Sequence, residues 1–216
     1  MVLRTRRRAA TPVTYKLCSL YLQYPDAELL AARPSLAEAV AGLPGSPARD
    51  ALDRFREWFG GMDSLAVEQQ YVETFDLHKR SGLYVTFYGE GDRRQRGSAL
   101  LRLKRMYRAA GLPLEGTELP DYLPVMLEFA ATAPDGRGEL VLREHRASIE
   151  LVRESLRERR SPYADVLEAV CVTLGEPSAK DRARAVKLAA AGPPQELVGL
   201  EPFAPPEVMP GVEARR

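Results

Sequence analysis

The stretch "LPDYLPVMLEFAATA", residues 119–133, constrains the fold more than any other part of the chain. Placed on a helix at about 100° per residue, positions 121–132 are apolar almost all round. Such a helix has no face to give to water, so it belongs in the centre of a bundle. Only Asp121 and Glu128 break the pattern, and they share one line. A carboxylate carried into a core needs a partner. Arg96, or Arg94 beside it, is the candidate.

The rest of the chain supplies the bundle. "SPARD" at 46 and "SPYAD" at 161 each offer Ser as N-cap with Pro at the first helical position. Asp92 and Ser178 are further N-caps, and Gly111 and Gly175 read as C-terminal stops. The predicted helices are 12–24, 26–42 (broken near Pro34), 47–59, 64–77, 92–110, 121–132, 138–160, 162–174 and 179–191. The expected class is all-α, a single bundle of about eight or nine helices. A basic arm, 1–11, precedes the helical domain, 12–191. Residues 192–216 hold six prolines and little periodicity, and read as a Pro-rich, disordered tail.

Two helical wheels carry most of the remaining information. In 92–110, Ala99, Leu100, Leu103, Met106, Tyr107 and Ala110 form an apolar stripe, with Arg93, Arg94, Arg102, Lys104, Arg105 and Arg108 to the side or opposite. Arg96 falls inside the stripe, and Leu101 falls on the basic face. In 138–160, Val141, Ile149, Val152 and Leu156 build an apolar face that also carries Glu144 and His145.

"GEGDRRQRG", residues 89–97, follows the aromatic run "LYVTFY" and invites a nucleotide-site reading. A dinucleotide fingerprint would place a third glycine where Arg94 stands, inside a strand–helix–strand unit. No second parallel strand is visible, so a glycine turn with an Asp cap is the better reading. "LYVTFY" is then a packed aromatic connection. His78 and His145 have no carboxylate or cysteine at ligand spacing, and Cys18 and Cys171 lack an activating motif. No nucleophile elbow or P-loop is present, so the chain does not read as an enzyme.

Composition narrows the partners. The formal net charge of +1 gives no overall drive toward nucleic acid or a membrane. A nucleic-acid-binding module using "RTRRR" and the basic face of 92–110 is the alternative function, weighed below the one that follows. Lys16 interrupts the N-terminal apolar stretch, so no secretory or twin-arginine signal is read there. No segment approaches the roughly 20 apolar residues that cross a bilayer, so no direct membrane insertion is expected. Two cysteines without a C-x-x-C pairing suit a reduced compartment, and the expected location is cytoplasmic.

Residues 71–131 carry a resemblance. "YVETFD", "LYVTFYGEGDRRQRG", "MYRAAGL" and "LPDYLPVMLEFAA" occur in order at family-like spacing. The chain resembles the NarJ family, the nitrate reductase delta subunit or molybdenum cofactor assembly chaperones. The resemblance implies a TorD-like redox-enzyme chaperone fold. It implies a client, the apo catalytic (alpha) subunit of respiratory nitrate reductase, held by its N-terminal segment while molybdenum cofactor is inserted. That cofactor belongs to the client; none is expected to be stably bound here. Molybdenum cofactor delivery proteins are possible further partners.

A groove for the client's amphipathic helix needs apolar walls and acidic groups. The residues proposed for it are Tyr71, Phe75, Leu83, Tyr84, Phe87, Tyr88, Leu123, Met126 and Leu127, with Glu73, Asp76, Asp121 and Glu128 supplying charge. Gly91, Asp92, Arg94, Arg96 and Gly97 match the family motif. They are assigned first to fixing the turn and pairing buried acids, and only secondarily to client contact.

Overall fold

The computed structural model describes residues 2–78, 80–89 and 93–191, and of residues 2–10, 89, 93 and 191 only the backbone. Gly91, Asp92 and the 192–216 tail lie outside the described residues. Within them the chain is all-α: twelve α-helices, one short 3-10 turn at Pro134–Gly136, and a single isolated β-bridge between Tyr84 and Tyr122.

The apolar segment is indeed central. Helix α8 (Leu123–Thr132) packs against α1 (Val2–Tyr21) and against α9 (Arg137–Glu144). Its Leu123, Met126 and Leu127 are wholly buried. A second packed layer is formed by α11 (Tyr163–Leu174) on α4 (Pro47–Gly61) and α10 (Arg146–Glu158). Here Tyr21, Phe55, Phe59 and Tyr163 meet edge to face or tilted. Aromatic rings at these separations add to the stabilisation from buried area alone. Gly138 lets α9 approach α8: a Cβ there would stand 2.3 Å from the Ala130 Cα.

The punctuation largely holds. The Ser46 hydroxyl accepts from the Arg49 N–H at 3.2 Å with Pro47 opening α4. The Ser178 hydroxyl accepts from the Asp181 N–H while Asp181 accepts from the Ser178 N–H, a reciprocal cap for α12 (Ala179–Ala191). Gly111 and Gly175 take φ of +77° and +81° beyond α7 (Arg93–Ala109) and α11, the left-handed range that a residue with a Cβ resists.

The break expected near Pro34 is present: the 26–42 helix divides at Ala32, giving α2 (Ala27–Ala31) and α3 (Arg33–Ala41), with Pro34 in the first turn of α3. Four expectations are corrected. The first helix starts at Val2 rather than 12, running through Pro12, whose missing N–H removes one hydrogen bond of that ladder. The 138–160 helix is two helices joined at His145, whose φ/ψ of −101°/12° is outside the helical range. Ser161 does not cap α11; its hydroxyl lies 3.3 Å from that of Thr74. Finally, α8 begins at Leu123, which leaves Asp121 in the preceding connection.

The first half of "LYVTFY", Leu83 to Val85, is a connection, as its lack of a partner strand suggested, whereas Thr86 to Tyr88 are helical. The Val85 N–H donates to the Asp121 carbonyl at 3.1 Å and the Leu123 N–H to the Leu83 carbonyl at 2.8 Å. The chain then turns into the short helix α6 (Thr86–Gly89). Two irregular segments thus satisfy each other's backbone groups beside the core.

Candidate functional site, an acidic groove beside the central helix

Of the stretches flanking α8, the one on its α1 side opens into a groove of about 680 Å³. Lys16 and Ser19 of α1, with Gln23 just beyond its end, form one wall, and Val125, Glu128 and Phe129 of α8 the other. Residues 112–115 and Glu118, from the irregular connection between α7 and α8, close one end, with Tyr107 and Tyr122 in the floor. Hydrogen bonds fix these walls. The Ser19 hydroxyl donates to the Pro124 carbonyl at 2.8 Å, and the Tyr107 phenol donates to the Pro120 carbonyl at 2.7 Å. The Tyr71 phenol donates to the Leu22 carbonyl at 3.0 Å and lies 3.1 Å from the Tyr122 phenol.

The electrostatics are one-sided. Asp26, Glu115, Glu118 and Glu128 line the groove, against one cation, Lys16. Glu118 accepts from the Tyr84 phenol at 3.1 Å and from its neighbour's N–H, and the Tyr84 ring tilts over Tyr122 at 5.3 Å. Burial, with the Glu118 contact second, pushes the Tyr84 phenol up to about 12, so it remains a donor across the physiological range. Lys16 meets Glu128 at 2.7 Å, both side chains being roughly half exposed.

The proposed groove residues separate into distinct environments. Glu128 lines this groove, and Tyr84 and Tyr71 support its floor from behind. Leu83, Phe75, Leu123, Met126 and Leu127 are buried in the core. Tyr88 is buried beside a smaller cavity of about 130 Å³ near α10, and its phenol donates to the Gly82 carbonyl. Phe87 is half-buried under the Arg96 guanidinium, 5.8 Å from ring centre to Cζ. Glu73 and Asp76 are exposed at the end of α5 (Ser64–Phe75).

Asp121 has its own environment. It has no exposed side-chain surface, accepts from the Thr86 hydroxyl at 2.6 Å, and faces the Arg96 guanidinium at 3.7 Å. The expected Arg96 pairing is therefore present with Asp121, whereas Glu128 pairs with Lys16 instead. Arg94 and Gly97 are exposed. On the second wheel His145 is buried, with its Nδ1 3.0 Å from the Val141 carbonyl, but Glu144 points outward to Arg102 at 3.4 Å.

Sequence reading missed Lys16, Gln23, Asp26, Glu115, Glu118, Val125 and Phe129. Their signal was weak because they come from three separate segments. The acidic run "EGTELPD" before the central helix was the available hint. Among the described residues no His, Cys, Asp or Glu cluster could hold a metal ion, and no helix is long and apolar enough to cross a membrane.

A family model, nitrate reductase delta subunit, matches residues 44–169, more than half of the chain. The chain belongs to that family. The match takes in α4 to α10 and most of α11, including the second wall of the groove and the whole Asp121 environment. Among relatives, the chain is 35% identical over 163 residues to a probable nitrate reductase molybdenum cofactor assembly chaperone NarJ of Bacillus subtilis, covering 75% of this chain and 88% of that one. It is 34% identical over 150 residues to the corresponding NarJ of Escherichia coli, covering 68% and 64%. A nitrate reductase-like protein NarX of Mycobacterium tuberculosis is 36% identical over 161 residues, covering 74% of this chain but 24% of its own length. The resemblance to the NarJ family is thus borne out, and a delta-subunit family of assembly chaperones is not one of enzymes.

Proposed function

We propose that this protein is the assembly chaperone of a respiratory nitrate reductase, acting in the cytoplasm on the apo catalytic subunit. It holds that subunit by its N-terminal segment and keeps it open for molybdenum cofactor insertion, the cofactor remaining with the client. The observation that carries the reading is the groove between α1 and α8, with an apolar floor and four lining carboxylates against one lysine. An amphipathic helix with a basic flank fits that pattern: its apolar stripe meets Tyr24, Leu112, Tyr122 and Val125, and its cations meet the carboxylates. The relatives' names, nitrate reductase molybdenum cofactor assembly chaperones, support nitrate reductase as the enzyme served; the subunit and its segment belong to the proposal.

Its dimensions agree. From Lys16 to Tyr21, the end of α1, the wall rises about 7.5 Å at about 1.5 Å per residue, so it receives more than one turn of a helix. The basic face of α7, with Arg94, Lys104, Arg105 and Arg108 exposed, has the charge that a nucleic acid would need, but the groove has the opposite sign.

The test is calorimetric titration with a peptide of about 15 residues, about four helical turns, from the N-terminus of the catalytic subunit encoded in the same genome. One-to-one binding with a negative heat-capacity change is expected, as apolar surface is buried. Val125→Asp should abolish binding while the circular dichroism and urea midpoint stay near those of the parent. Equal affinity in Val125→Asp would remove the groove from the mechanism.

A further inference from the structure

Lys16 is an odd residue to find in this groove. It is the one cation among the described lining residues, and it stands on the wall opposite Glu128. Its ion pair does not hold α1 to α8: that packing rests on the buried contacts of α8 and on the Ser19–Pro124 hydrogen bond. The pair itself is open, with 47% of the Lys16 side chain and 40% of the Glu128 side chain exposed. Exposed pairs of this kind contribute roughly 0–1 kcal/mol, because water competes for both partners and ordering two long side chains costs entropy. The contact is short, yet easily exchanged.

The other carboxylates of the groove are engaged differently. Glu118 is oriented by the Tyr84 phenol, and Asp26 caps α2 through the Leu29 N–H. Neither makes an ion pair among the described residues, nor does Glu115. Among the described residues, Glu128 is the one groove carboxylate with an ion pair, and its partner is a flexible ammonium whose stem can swing clear of the groove.

We propose that Lys16 is a placeholder for a cation of the bound segment. In the empty groove it neutralises Glu128. When a basic amphipathic helix seats, one of its Lys or Arg side chains takes Glu128 and Lys16 swings into solvent. The inference rests on the groove being the client site and adds a specificity device to it. Lys16 sets the threshold: an apolar segment without a cation gains nothing from Glu128, and is repelled by none of its charge, because that charge stays covered. A segment with a correctly placed cation must compete against Lys16, so the lysine lowers affinity for the cationic helix only.

The experiment uses the full chain and Lys16→Met, which keeps the apolar stem and removes the charge. The probes are the N-terminal client peptide and a version with each Lys and Arg replaced by Gln. Lys16→Met should tighten the cationic peptide about three- to fivefold, the equivalent of the up to about 1 kcal/mol an exposed pair contributes. The neutral peptide should change by less than about twofold on the same scale. Glu128→Gln should weaken the cationic peptide and cancel the gain from Lys16→Met in the double variant, as expected for groups that share one interaction. Tightening of both peptides alike, or no change in the cationic one, would overturn the proposal while leaving the groove as the client site. Binding of neither peptide to parent or variant, with the fold intact by circular dichroism, would instead overturn the groove reading and this inference with it.

Discussion

Asp121 and Glu128 are the same chemistry seven residues apart, one in the connection before α8 and one on α8, and the fold treats them oppositely. Asp121 is sealed: its side chain has no exposed surface, the Thr86 hydroxyl reaches one oxygen at 2.6 Å, and Arg96 stands 3.7 Å away. Its other oxygen, Oδ1, has no hydrogen-bond partner among the described residues. Glu128 lies in the groove with a half-exposed lysine. A charge out of water is held by whatever surrounds it and is expensive to strand. A charge at the surface can change partners at little cost. The first suits a structural post, the second a recognition site.

The largest effect should follow from stranding Asp121. Arg96→Ala leaves that carboxylate buried beside a single hydroxyl, and should cost about 3 kcal/mol in urea melts, the lower end for a broken buried pair because the approach is long. A loss below about 0.5 kcal/mol, the scale of an ordinary surface substitution, would show that Asp121 does not depend on Arg96. Next comes Thr86→Val, which removes the hydrogen bond to the same oxygen and should cost about 2 kcal/mol, as for other hydrogen bonds to charged groups. Strong non-additivity in the double variant would sharpen the picture of one coupled unit.

A smaller effect is expected at His145, another polar group held inside. Burial is the main cause of its lowered pKa, outweighing the Val141 carbonyl contact. The protonated ring is therefore disfavoured in the fold relative to the ordinary value of 6.5. Its contribution is complete above that value and is lost as pH falls through the lower folded pKa. Stability should decline on acidification over that window, and the decline should be shallower in His145→Gln. Identical pH slopes for parent and variant would count against it. The smallest stability change belongs to Glu128→Gln, within about 0.5 kcal/mol and diminished further by added salt. Unlike Arg96→Ala, its consequence should appear in peptide affinity. A large loss of stability here would erase the contrast between the two carboxylates.

Much of this was legible beforehand. The apolar stripe of α7 is as read, with Leu103 and Tyr107 buried and Leu101 half exposed on the basic side. Arg96, out of place on that wheel, does turn inward to an acid of the central segment. The groove was less legible: core-forming Met126 and Leu127 and groove-lining Val125 and Phe129 are interleaved along one helix that is apolar almost all round. With Glu128 as its one charge, such a wheel has little phase, so it could not say how much of either side would be left uncovered.

By itself, the sequence determined the class, several helix ends and the position of a central helix, because periodicity, caps and glycines act over a few residues. It also carried the family, through motifs in order. Tertiary structure alone decided which carboxylate would be sealed and which presented. That choice depends on Thr86 of one segment, Lys16 of another and the irregular 110–122 connection arriving at α8 from distant positions, and burial is a property of the assembled neighbours rather than of the residue.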